Sequence, residues 1–215
     1  LLDGAIRLQD LCARAVDFGF SSAAITDHGN LFGAVSFYRQ AKSHGFNPII
    51  GCEVYVADDM ENRENRQRFH LVLLAQNLIG YRNLVQIASA GYLQGFYYRP
   101  RVDKKFLQDH SEGLICLSAC LQGEVPWSLR FETMDKAKVR ALEYAHIFPN
   151  RFYLELQSNG LREQEVVNQR LLELAQETEL PLVATNDCHY LDKEDYEAHD
   201  ILLCVGTGKV VHDQQ

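Results

Sequence analysis

The sequence predicts an α/β fold, either an α/β barrel or a doubly wound sheet. Apolar runs rich in β-branched residues alternate with segments of helical period along the whole chain. Those runs are apolar nearly throughout, which suits parallel strands covered on both faces. The 215 residues carry 47% hydrophobic content, enough for one large domain with a buried core.

Taken in order, Ile6, Leu8, Leu11, Ala15, Val16 and Phe18 fall near helical spacing, and Gly19 supplies a stop. "SSAAITDHGN" reads as a strand followed by a loop. Leu31 to His44 reads as a helix ended by Gly45, and "NPIIGCEVYVA" as the next strand. "DDMENRENRQR" (58 to 68) is a charged surface loop. Strand "FHLVLLA" and a helix from Ile79 to Ala90 follow, then a longer irregular insertion, "GYLQGFYYRPRVDKKFL" (91 to 107). The alternation resumes with strand "GLICLSAC", helix Met134 to Ile147, strand "FYLELQ", helix Glu163 to Thr178 and strand "PLVATNDCH". The last stretch, "GTGKVVHDQQ", does not close a domain, and there is no internal repeat or low-complexity tract.

A formal charge of -8 argues against a protein that grips nucleic acid over its whole surface, because phosphate binding uses clustered Lys and Arg. Local basic patches remain compatible with it. No apolar run reaches the roughly 18 to 20 residues of a membrane span, and "LLDGAIRLQD" lacks the regions of a signal peptide. A soluble, cytoplasmic protein without a membrane partner is expected. The six cysteines lie mostly in apolar segments without close-set pairs, so reduced thiols are expected. The chain opens at Leu1 without methionine, and its start reads as truncated.

Chemistry-bearing residues gather where the predicted strands end: Asp27 and His28 after "AAIT", Glu53 after "PIIGC", Cys120 after "ICLSA", and Asp187 and His189 after "LVATN". In parallel α/β folds that end of the sheet carries the active site. Side chains two apart on an extended chain share a face, so Asp187 and His189 aim together. Carboxylate, imidazole and thiolate form the ligand set of zinc and its transition-metal neighbours. Each residue alone has a plainer role: Asp before a helix caps it, and a buried thiol packs. In "GFYYRPR", Tyr97, Tyr98, Arg99 and Arg101 suit stacking and phosphate contact with nucleic acid or packing on a neighbouring domain. "GTG" at 206 to 208 lacks the context of a phosphate loop. His44, His110, His146, His199 and His212 read as surface residues.

Four stretches carry a family resemblance: "AITDHGNLFGAVSFYRQAKSHGFNPIIGCEVYVA", "FHLVLLAQNLIGYRNLVQIASAGYLQGFYYRPRVD", "LICLSACLQGEV" and "PLVATNDCHYL". Together they resemble the polymerase and histidinol phosphatase (PHP) domain of bacterial replicative DNA polymerase III alpha subunits, over nearly the whole chain. The resemblance implies a distorted TIM-like (β/α)7 barrel with up to three divalent metals, zinc, manganese or iron, at its C-terminal mouth. Residues 1 to 215 would be one PHP domain, its first strand missing, with palm, thumb and fingers beyond it. The implied metal ligands are Asp3, His28, Glu53, His70, Cys120, Asp187 and His189. Glu53 would bridge two metals, one completed by His70 and Cys120 and the other by Asp187, while Asp3, His28 and His189 would hold the third. The family's first motif, two histidines one residue apart, is absent from this chain, which leaves the Asp187 subsite incomplete. His70 enters by resemblance alone, since it opens its apolar run. Asp27 is not a ligand in the family, and capping or orienting its loop is the preferred role.

The implied activity is metal-dependent phosphodiester hydrolysis, as a 3′-5′ exonuclease within a DNA-directed DNA polymerase. The implied partners are DNA, reached through the full polymerase, a proofreading exonuclease subunit and other replicase subunits. The alternative is a catalytically silent module that docks the separate exonuclease. A free-standing PHP phosphoesterase fits less well, because 81 to 107 and 191 to 205 look polymerase-like.

Overall fold

The structure, a computed structural model, describes residues 3 to 212; the last three residues of "GTGKVVHDQQ" lie outside them. In chain order the elements are α1 (Leu8–Asp17), β1 (Ser22–Ile25), α2 (Ala34–Ser43), β2 (Asn47–Val56), β3 (Phe69–Ala75), α3 (Leu78–Leu93) and β4 (Arg101–Val102). They continue with α4 (Lys104–Asp109), β5 (Leu114–Leu117), α5 (Glu124–Phe131), α6 (Met134–Ile147), β6 (Phe152–Gln157), α7 (Arg162–Thr178), β7 (Leu182–Thr185), a short 3-10 turn (Lys193–Asp195) and α8 (Tyr196–Thr207). Among the described residues no helix is long and apolar enough to cross a membrane. Among the described residues no disulfide joins any of the six cysteines.

Two compact units form: residues 24 to 34 with 49 to 186, and the described residues before 24, from 35 to 48 and from 187 onward. The larger unit holds most of a sheet ordered β1-β2-β3-β5-β6-β7, with β4 added beside β2. Pairs β5–β6, β6–β7 and β2–β4 are parallel, but β3 is antiparallel to both β2 and β5. The sheet is therefore mixed, which corrects the expectation of parallel strands throughout. The connection over 57 to 68 contains no helix, and a parallel return needs a long crossover that usually contains one.

Strand alternation sorts the side chains between two faces. Cys52, Val54, Leu71, Leu73, Phe152 and Leu154 join the main core with Leu84 and Ile87 of α3, Tyr144 of α6, and Leu171 and Leu174 of α7. The other face carries a smaller cluster of Val72, Leu117 and Ala119, with Tyr153 and Val183 packed against it. Glu53 lies opposite Val72, and Tyr55 opposite His70. Cross-strand partners share a face, so polar Glu53 and His70 project on the side of the smaller cluster. Local capping fixes the helices: Asn77, Asp103 and Thr133 accept from the backbone N–H groups of Gly80, Phe106 and Lys136 at the starts of α3, α4 and α6, each worth about 1 kcal/mol.

In the other unit, Cys12 and Ala15 of α1, Phe37 and Ala41 of α2, Cys204 of α8, and Phe46 just before β2 are buried. The Phe37 and Phe46 rings lie 6.3 Å apart. Arg14 donates to the Asp192 carboxylate, and the Asn47 N–H donates to the Ser21 carbonyl at 2.9 Å.

Candidate metal centre

Glu53, 6% exposed, is the centre of a cluster in the larger unit. Its Oε1 lies 2.6 Å from His70 Nδ1 and 3.0 Å from His28 Nδ1. Cys120 Sγ stands 3.6 Å from the same His70 nitrogen. Burial alone would raise the Glu53 pKa, but hydrogen bonds from His28 and His70, with their charges, outweigh it and bring it down to about 2. Two imidazole nitrogens and a carboxylate oxygen thus converge, with a thiol alongside. That donor set fits a transition-metal ion, which would replace the protons now shared within the cluster.

Backbone detail explains why these four residues meet. His28 forms an isolated bridge with Glu53, closed by Glu53 N–H to Asp27 O at 3.1 Å and Gly29 N–H to Glu53 O at 2.8 Å. Gly29 has φ +65°, and a Cβ there would come within 2.6 Å of Pro100 Cγ and 3.1 Å of the Tyr55 ring, so only glycine lets the loop sit this close. Asp27 takes the orienting role: its Oδ2 accepts from Gly33 N–H at 2.9 Å, before α2. On the other side, His70 N–H donates to Gln122 O at 3.0 Å. Ala119 has φ +62°, which turns the chain so that Cys120 follows β5 towards His70. The antiparallel direction of β3 explains His70 itself. Its first residues lie opposite the end of β2, so a histidine at the start of β3 meets ligands at the ends of parallel neighbours.

Asp3, Asp187 and His189 belong to the smaller unit. His189 Nε2 lies 3.7 Å from Asp3 Oδ2, and His189 Nδ1 donates to Asp187 O at 2.8 Å while standing 3.9 Å from Asp187 Oδ1. The Asp3 carboxylate beside it raises the His189 pKa; burial opposes this, and Asp187 adds to the rise, to about 9. Asp187 has φ +50°, an uncommon conformation for a non-glycine residue. His199 is not a plain surface residue, as the sequence suggested. It is half-buried on α8, its Nε2 donates to Asp3 O at 2.8 Å, and its ring lies 5.8 Å from that of His189. The signal was only the helical reach of residues 196 to 207, a helix the sequence reading did not anticipate.

The stretch from Tyr97 to Arg101 divides. Arg101 is 1% exposed and its guanidinium donates to Gly95 O, Asn65 O, Met60 O and Asn62 O at 2.6 to 3.2 Å. It is a buried clamp on the 58 to 68 loop, and its assignment to nucleic-acid contact is corrected. A buried guanidinium with its donors engaged on carbonyls is not available to phosphate. Tyr97 N–H donates to Arg99 O at 3.1 Å, a turn that leaves Tyr98 57% exposed with φ +61°.

The model of the PHP domain matches residues 1 to 159. DNA polymerase III subunit alpha from Borreliella burgdorferi is 45% identical over all of this chain, and that from Thermus aquaticus 46%. The chain covers 19% and 18% of those two proteins, about a fifth of their length. Among solved structures, an amidohydrolase from Chromobacterium violaceum aligns with TM-score 0.54 at 10% identity, over 93% of each chain. A protein from Bifidobacterium adolescentis assigned as a metal-dependent phosphoesterase aligns with TM-score 0.53 at 12% identity, over 93% of this chain and 92% of its own. At such identities the two structures speak to the fold, and the mixed sheet flanked by helices fits a distorted α/β barrel. With the family model matching well over half of the sequence, the chain belongs to the PHP domain family.

Proposed function

We propose that residues 1 to 215 form the PHP domain of a bacterial replicative DNA polymerase III alpha subunit and hydrolyse phosphodiesters at a metal centre built on Glu53. The observation that carries this reading is the buried Glu53 carboxylate between two imidazoles with the Cys120 thiol alongside. Identity of 45 to 46% to alpha subunits over the whole chain supports the parent protein: a DNA-directed DNA polymerase, in the cytoplasm, partnered by DNA, a proofreading exonuclease and other replicase subunits.

Glu53, His70 and Cys120 would hold one ion, and His28, Asp3, Asp187 and His189 are the remaining proposed ligands. Zinc, manganese and iron all accept this donor set. A divalent metal there supplies a Lewis acid that activates water and neutralises phosphate charge. The protein's own contribution is orientation. Glu53 stays ionised at neutral pH because His28 and His70 hold it. The loop bridges at Gly29 and Gln122 hold the backbone that carries both imidazoles, and Tyr55, 4% exposed, walls the cluster with its ring 5.3 Å from that of His70. The expected task is 3′-5′ removal of nucleotides from a DNA end.

The test pairs metal analysis with hydrolysis of a 3′-labelled single-stranded oligonucleotide. Bound transition metal and nucleotide release, both lost in Glu53→Ala, are expected. A protein that takes up no metal contradicts the reading. Metal uptake without hydrolysis would leave the structural module that docks a separate exonuclease.

A further inference from the structure

We propose that Arg66, Arg68 and Tyr98 form a track for single-stranded polynucleotide leading to the Glu53 cluster; this deepens the proposed function and rests on it. Arg66, Arg68 and His70 are spaced two apart, entering β3. The Arg68 guanidinium lies 6.0 Å from the centre of the Tyr55 ring, and that ring is 6.3 Å from His28 and 5.3 Å from His70. Arg68 is therefore one ring away from the proposed metal ligands. Further out, the Arg66 guanidinium stacks 3.9 Å from the centre of the Tyr98 ring and also donates to the Tyr98 hydroxyl.

Three features make this strip more than a solvated charge run. First, its charges are not neutralised. Arg66 engages tyrosines and Arg68 the Arg66 carbonyl, and among the described residues no carboxylate lies within ion-pair distance of either. Of the four acids of the same loop, Asp58, Asp59 and Glu61 line a cleft with Asp103 and Asp109, while Glu64 is exposed and makes no ion pair with Arg66 or Arg68. Second, the strip is held in place before any ligand arrives. Arg101 clamps Met60, Asn62, Asn65 and Gly95, and Arg63 ties Met60 O to Gln94 O, so the loop is tied to the segment that carries the Tyr98 turn. Third, Tyr98 keeps an exposed ring on a left-handed backbone, a costly conformation for a non-glycine residue and one that concentrates at functional positions.

Stacked guanidinium planes and exposed aromatic rings are what single strands use: bases stack on them while the forks of arginine take phosphate oxygens. A track of two arginines reads successive phosphates, which a lone anion pocket cannot.

The test is fluorescence anisotropy of a labelled oligothymidylate with the chain in chelator, across a salt series. Arg66→Ala with Arg68→Ala should weaken binding at least about tenfold at low salt and flatten the slope of log K against log salt by about 1.4, at roughly 0.7 per phosphate contact. Lysine at both positions should keep most of that slope, and metal uptake should be unchanged in both double variants. Unaltered affinity in the alanine variant, no oligonucleotide binding by the wild type, or a mononucleotide that competes as well as the oligomer would each overturn the track. Because chelator removes metal from the assay, strip-dependent binding by a protein that takes up no metal would sink only the hydrolytic reading. Metal-dependent hydrolysis with no effect of either arginine would sink only the track.

Discussion

Replacing Glu53 by Gln removes a buried charge while keeping its shape, and its consequence can be worked from the structure. In the metal-free protein the carboxyl pKa falls from 4.5 to about 2: burial pushes it up, and His28 and His70 pull it further down. A group whose folded pKa is depressed adds stability above its unfolded pKa, and that stability drains away as pH falls through the folded value. At about 1.36 kcal/mol per unit, the full contribution is about 3 kcal/mol, complete above pH 5 and gone only below pH 2. Between pH 7 and pH 3, about 2 kcal/mol of it should disappear. Urea unfolding of both proteins in chelator at stepped pH gives the free-energy difference of the Glu53 cluster directly, with titrating groups away from His28 and His70 cancelling. The gap between wild type and Glu53→Gln should shrink by about 2 kcal/mol over that range. A gap that stays constant would show that Glu53 is not held by the two imidazoles.

Three other outcomes follow from particular contacts. Arg101→Met should cost about 3 to 5 kcal/mol, since it strips charge-assisted hydrogen bonds from four carbonyls, and should open the 58 to 68 loop to limited proteolysis. Gly123→Ala should destabilise strongly in thermal melts, because a Cβ would sit 2.0 Å from Ser118 O, and should detach the Cys120 turn from His70. His189, with its pKa raised to about 9 by Asp3 and Asp187 despite the opposing effect of burial, contributes stability that is complete below about pH 6.5 and lost as pH rises through 9. Metal-free wild type should therefore lose stability between pH 7 and pH 10 relative to His189→Gln, and matched unfolding curves at the two pH values check this.

The α/β alternation and most of the proposed ligands were legible because apolar runs end in carboxylate, imidazole or thiol, a pattern that needs no long-range information. His70 escaped that rule because direction decides which strand end matters. The cue was present: the 57 to 68 connection holds charged residues and no helical period, and a short link without a helix implies an antiparallel return. Glu53 was legible as a residue but not in position, since β2 runs on to Val56, extended by pairing of Tyr55 and Val56 with β4. Arg101 misled for a different reason. An arginine beside tyrosines looks like a phosphate contact, and only the fold shows four carbonyls waiting for it. Short α5 and α8 were missed because neither stands out in the period of its apolar residues.

The central claim, that Glu53, His70 and Cys120 form a metal site, is tested most directly by titrating the metal-free protein with cobalt(II) and following thiolate-to-metal absorption. Wild type should develop that absorption at saturating metal, releasing protons as the imidazole and thiol become ligands. Cys120→Ser should bind cobalt more weakly and without the thiolate band, and Glu53→Ala should lose the site. A thiolate band of full strength in Cys120→Ser, or none in the wild type at saturating cobalt, would contradict the account.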